Sequence, residues 1–265
     1  MLGFLSNDTQ VGYYTAATKL NKLSLGLLNS LIAVLLPRLS YYKEKNENNK
    51  FIELSEKAAS VVILLSLPMV IGLITLAKPL VLVFSGNKYL DAVPAMNIIS
   101  PIVFAISISS LIGTQIFPAI KKEKITLLSI ICGAITNVII NSIFIPKYGA
   151  IGAALGTLIA EFAVTIVQII YLAKYISKNI LLSLFHSIIA CIPLTLIIVS
   201  FSKLITNNLL LIIVCIIISV IVYSLILIIL KNKYFTELIL QKIKEKIFRG
   251  KTKIIESGDN NENNK

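Results

Sequence analysis

Residues 209–230 read LLLIIVCIIISVIVYSLILIIL, without one charged side chain. A helix that is apolar on every face belongs in a bilayer or deep inside a large protein. About 20 such residues cross a hydrocarbon core roughly 30 Å thick. The rest of the chain decides between the two. Of its 265 residues, 56% are hydrophobic and 14% charged, whereas a soluble domain carries roughly 25% charged residues to face water. That leaves too little polar surface for a globule, so the fold class read here is an all-α membrane protein.

Working outward, six more stretches are long and apolar enough to span: 11–36, 58–84, 92–117, 125–145, 150–172 and 185–204. The second carries Pro68 and Pro79 and is expected to kink. The net charge of +12 raises nucleic acid as a partner, but the positions of the lysines exclude it. They alternate between connectors: Arg38, Lys43, Lys45, Lys50 and Lys57, then Lys121, Lys122 and Lys124, then Lys174 and Lys178, then the tail from Lys231. The intervening connectors hold only Lys88, Lys147 and Lys203, with Lys78 nearby. Positive residues stay cytoplasmic, which places the N-terminus outside and the C-terminus inside the expected bacterial cell (cytoplasmic) membrane. Cys132, Cys191 and Cys215 lie within spans without metal-ligand spacing, and His186 stands alone at a boundary. No metal and no cofactor are expected.

The first stretch carries a pattern. Thr15, Lys19, Lys22, Gly26, Asn29 and Ala33 recur at steps of three and four, on one helical face. At ~1.5 Å per residue, Lys19 and Lys22 lie roughly 12 and 17 Å inside the bilayer. A lysine at that depth costs a few kcal/mol unless it meets water, a partner or a substrate. In the fifth stretch Gly152, Gly156 and Ala160 make a ridge for close helix contact. Ala153, Thr157, Glu161, Thr165 and Gln168 form a polar stripe beside it. Counted from their stretch starts, Glu161 and Lys22 reach the same depth, so they either pair or face one cavity. Asn137 and Asn141 in the fourth stretch suit sugar hydroxyls or a neighbouring helix equally well.

Several segments resemble a known family. Leu2-Gly3-Phe4-Leu5-Ser6 and Val11-Gly12-Tyr13-Tyr14-Thr15-Ala16-Ala17-Thr18-Lys19 resemble the second half of bacterial polysaccharide flippases of the Wzx type. So do Leu35-Leu36-Pro37-Arg38-Leu39-Ser40 and Phe84-Ser85-Gly86-Asn87-Lys88-Tyr89-Leu90. Ile145-Pro146-Lys147-Tyr148-Gly149-Ala150-Ile151-Gly152-Ala153-Ala154, with Glu161 beyond, is similar to the pattern of the multidrug/oligosaccharidyl-lipid/polysaccharide exporter superfamily.

The resemblance implies two six-helix lobes around a central cavity, with extra C-terminal helices in many members. It places residues 11–174 in the second lobe and 175–230 in two additional hydrophobic helices. Residues 1–10 read as an outside segment or the end of a missing span. Those at 231–253 form a basic amphipathic helix with Phe235, Ile239, Ile243 and Ile247 on one face, and 254–265 a disordered tail. The implied activity is translocation of undecaprenyl-diphosphate-linked oligosaccharide in polysaccharide biosynthesis, as part of a longer protein and without covalent chemistry, so the chain is not read as an enzyme. The implied partners are that lipid-linked oligosaccharide, the membrane and a polysaccharide polymerase. Lys19 and Lys22 would attract phosphates. Tyr13, Asn29, Asn137, Asn141, Thr157 and Gln168 would line the cavity, and Glu161 would pair with a lysine or answer an ion gradient. The competing readings are a cation-coupled drug exporter of the same superfamily, a non-functional flippase fragment, and a membrane glycosyltransferase or polymerase.

Overall fold

Prolines and one glycine divide this apolar chain into its elements. Asn7 caps α1-to-α2 entry with its side chain, accepting from the Gln10 N–H at 3.0 Å, and α2 runs Asp8–Ala33 after a short α1, Leu2–Leu5. Pro37 cannot share a helix with the carbonyl four residues before it, so α2 stops at Ala33 and α3 (Leu36–Glu44) begins on a new turn. Pro79 acts likewise on the carbonyl of Thr75: α4 covers Asn48–Thr75, and α5 covers Ala77–Phe84. The kink falls there, while Pro68 is accommodated inside α4. Pro101 separates α6 (Val93–Ile99) from α7 (Ile102–Ser110), and the Ser100 hydroxyl donates to the Met96 carbonyl at 2.7 Å across the break. A π-helical turn, Leu111–Ile116, leads into the short α8, Phe117–Ala119.

The computed structural model describes residues 1–173 and 177–237, and no strand occurs among them. α9 spans Glu123–Leu172, α10 Lys178–Leu204 and α11 Asn208–Ile229. Among the described residues, six helical segments are long and apolar enough to cross a membrane. All seven hydrophobic stretches are helical, because α9 holds two of them. It reverses at Gly149, whose φ of +52° and ψ of −123° suit no side-chain-bearing residue. The reversal is visible in its contacts. Gly152 sits against the Phe144 carbonyl, Gly156 against Asn141, and Gly133 against Ala160 and Val164. Farther along, Gln168 donates to Ser129 at 3.1 Å. Each pair is more widely separated in sequence than the last, as two antiparallel legs require.

The seven apolar stretches therefore divide as five in the first part, formed by α2, α4–α5, α6–α8 and the two legs of α9, and two in α10 and α11. α10 packs along α4 and α11 along α5. Two apolar clusters hold the bundle. The larger joins Leu28, Leu76, Met96, Ile99, Ala154, Leu194 and Leu227; the smaller gathers Leu39, Phe51, Leu111 and Phe117. Of the basic stretch expected over 231–253, residues 233–237 are helical. Residues 238–253, the tail 254–265 and the connector residues 174–176 lie outside the described residues.

Candidate substrate-facing site

The site is built where α2 runs beside the second leg of α9. Gln10 accepts a hydrogen bond from the Ala150 N–H at 2.8 Å, and a Cβ at Gly149 would collide with the Gln10 side chain. One turn deeper, the hydroxyls of Tyr14 and Thr157 lie 2.9 Å apart, and Thr157 donates to the Ala153 carbonyl at 2.8 Å. The two helices are thus parallel. Their register puts Glu161 level with residues 18–21, between the turns that carry Lys19 and Lys22.

Every member of the α2 stripe is exposed: Thr15, Lys19, Lys22, Gly26, Asn29 and Ala33. The opposite side of the same helix is buried through Ala16, Ala17, Leu20, Leu28 and Ile32. Glu161 is half-buried. Among the described residues the ion pairs are Lys50–Glu47 and Lys57–Glu237, so Glu161 does not bridge to either lysine of the stripe. Tyr13 lies at the end of α2 where the helix meets the 3-10 turn Asn87–Ala92; it donates to Asp91 at 3.1 Å and meets Tyr89 edge-on at 6.3 Å.

The remaining expected residues sit between helices. Asn141 is buried and donates to the Asn137 side-chain oxygen at 2.8 Å, while its own Oδ1 has no protein partner. Asn137 is half-buried. Gln168 is 1% exposed and binds Ser129, and a Cβ at position 113 would collide with its amide, so Gly113 leaves room for it. The sequence reading overlooked a second polar row on α2, made of Gln10, Tyr14, Thr18 and Asn21. Gln10 and Tyr14 bind α9, and Thr18 and Asn21 are buried below them. Their steps of four, four and three mark this row in the sequence as plainly as the steps of the lysine row beside it.

Residues 4–243 match the family described as lipid II flippase MurJ. The chain belongs to that family. It is 29% identical over 171 residues to a putative O-antigen transporter of Escherichia coli strain K12, covering 64% of this chain and 41% of the relative. It is 20% identical over 177 residues to a probable low-salt glycan biosynthesis flippase, Agl15, of Haloferax volcanii, covering 67% and 37%. Among solved structures, lipid II flippase MurJ in an inward closed conformation superimposes with a TM-score of 0.70 at 23% identity, over 87% of this chain and 48% of that one. The chain thus spans about two fifths of the curated relatives and about half of the solved flippase. The shared fold and the apolar helices make this member of the MurJ family a multi-pass membrane protein.

Proposed function

We propose that this chain forms the second-lobe part of a flippase, acting within a longer protein to move an undecaprenyl-diphosphate-linked oligosaccharide across the cell membrane. One observation carries the reading: a helix with one face sealed into the bundle leaves Lys19, Lys22 and Asn29 open on the other. Lysines at mid-depth are costly against hydrocarbon and suited to a diphosphate. The descriptions of two relatives, a putative O-antigen transporter and a probable low-salt glycan biosynthesis flippase, support the reading. A drug exporter for organic cations calls for an acidic cavity, and the exposed charges of this stripe are basic.

In this reading Lys19 and Lys22 hold the phosphates. Tyr13 and Asn29 meet sugar hydroxyls, and Glu161 balances the lysines from the facing helix without closing an ion pair. Asn137, Asn141, Thr157 and Gln168 serve the cavity wall by fixing α2 and the legs of α9 in register. The polyprenyl chain stays outside, along aliphatic surfaces such as those of α10 and α11. The polymerase is the partner that receives the translocated oligosaccharide. The N-terminus faces outside, on the strength of the lysine alternation; a cysteine at Ser85 should label from outside intact cells and one at Glu123 should not, and the reverse pattern would turn the orientation over.

The decisive measurement is export of lipid-linked oligosaccharide by full-length protein in cells and vesicles. Lys22→Ala should abolish flux at normal protein abundance, and Lys22→Arg should retain part of it. Wild-type flux from the Lys19→Ala/Lys22→Ala double variant would end the proposal.

A further inference from the structure

Asn232, in the turn after α11, serves two contacts at once. Its Oδ1 accepts the backbone N–H of Phe235 at 3.1 Å, and its Nδ2 lies 3.2 Å from Nδ1 of His186 on α10. Both side chains are buried. Because the amide oxygen is committed to an N–H, the amide nitrogen is the group that faces the histidine. An amide nitrogen only donates, so Nδ1 must be the accepting nitrogen of a neutral ring. Protonated imidazole donates from both nitrogens, which would set N–H against N–H. Flipping the amide would satisfy the histidine and turn the NH2 group onto the Phe235 N–H instead. Neither orientation serves both neighbours.

The same turn is tied to α4. Tyr234 donates to Glu56 Oε2 at 3.1 Å, and Glu237 lies 3.7 Å from Lys57 Nζ. Glu56 is also part of the wall of an apolar cavity of about 480 Å³ bounded by α4, α7, the end of α9 and the start of α10. The turn therefore straps the α10–α11 pair to the lobe beside that cavity. We propose that residues 232–237 form a proton-sensitive strap, closed while His186 is neutral and released when it is protonated.

Histidine is the side chain that ordinarily titrates between about pH 5 and 8. The other titratable or charged groups on the elements packed around His186 are Cys215 and Tyr223 on α11, Lys50, Glu53, Glu56 and Lys57 on α4, Lys178, Cys191 and Lys203 on α10 itself, and Lys231, Lys233, Tyr234 and Glu237 on the turn. Burial, reinforced by the bond to Glu56, pushes Tyr234 up to about 12, so its hydroxyl remains a donor throughout the histidine range. The half-buried Lys57–Glu237 pair, 3.7 Å apart, adds only modest hold by itself. The closed form binds neutral histidine, so the ratio of closed to released strap falls as pH falls, by up to about tenfold per pH unit, the limit for one proton.

The test uses the full chain in lipid vesicles, with spin labels at Glu53→Cys and Lys233→Cys and with Cys132, Cys191 and Cys215 replaced by alanine. Distances are measured by pulsed electron resonance in samples frozen from about pH 8 and about pH 5.5, conditions that bracket histidine titration. A single short distance at the higher pH and a several-fold larger long-distance population at the lower pH are expected. His186→Gln keeps an accepting oxygen at every pH and should hold the short distance in both samples. Asn232→Ala should show the long population in both. An unchanged wild-type distribution would overturn the proposal. A His186→Gln protein that still responds to pH would also overturn it and assign the response to Glu56 or Glu237.

Discussion

The two helical hairpins of this protein, the legs of α9 and the α10–α11 pair, are similarly apolar but are closed by different means. In α9, Gly133, Gly152, Gly156 and Ala160 let the backbones approach until side chains of one leg press on the main chain of the other, with Asn141 and the Gln168–Ser129 bond enclosed between them. The pair α10–α11 contains no glycine. It meets through Ala190, Leu194, Cys215 and Leu227 and through Tyr223, whose hydroxyl contacts Ser187 at 2.6 Å and donates to the Leu64 carbonyl of α4 at 2.8 Å. In a bilayer, lipid tails are as apolar as leucine, so helices associate by close packing and polar contacts rather than by leaving water. A glycine-lined contact admits no spare volume, whereas larger side chains with one polar anchor leave room for adjustment. The first hairpin suits a fixed wall, the second an attached unit.

The first test fills the close contact. Gly156→Leu places its side chain where Asn141 already lies, and overpacking of this kind costs about 1–3 kcal/mol or more. The folded fraction in detergent, followed by thermal unfolding, should drop well below wild type. A Gly156→Leu protein of normal stability would mean that the α9 legs are no more tightly closed than α10–α11.

Next comes an exchange between outward faces. Ile217 on α11 and Lys22 on α2 are both exposed. Ile217→Lys should impair insertion by about 2.5–3.5 kcal/mol if that face meets hydrocarbon, measured as glycosylation-reported insertion of the span. Lys22→Leu should leave insertion nearly unchanged if its face is wet. Clear gain on Lys22→Leu would show that both faces meet lipid and that exposure on α2 has no special meaning.

The smallest effect tests the anchor. Tyr223→Phe removes the hydroxyl shared by Ser187 and Leu64, at a net cost of about 1 kcal/mol, read as a modest fall in thermal midpoint. A loss as large as that of Gly156→Leu would make the polar anchor, rather than the apolar contact, the main support of the pair.

The apolar helical stretches, the place of the small-residue ridge and the stripe on α2 were all legible from residue types and spacing. Span length depends on the bilayer and helical period on the backbone, and both are local properties. The break at Pro79 was legible for the same reason, since a proline acts on the carbonyl four residues before it, whereas Pro68, expected to act likewise, is accommodated inside α4. Partnership was not. Two polar rows lie side by side on α2, and only packing against α9 decided that Gln10 and Tyr14 face inward while Lys19 and Lys22 face out. Counting from the stretch starts placed Glu161 and Lys22 at one depth, but that the two helices run side by side came only from the contacts of Gln10 and Tyr14 with α9. His186 read as a solitary residue because Asn232, its partner, arrives from beyond α11. Helical periodicity is written residue by residue, but contacts between distant segments depend on how whole helices come together, and that was settled only in the tertiary structure.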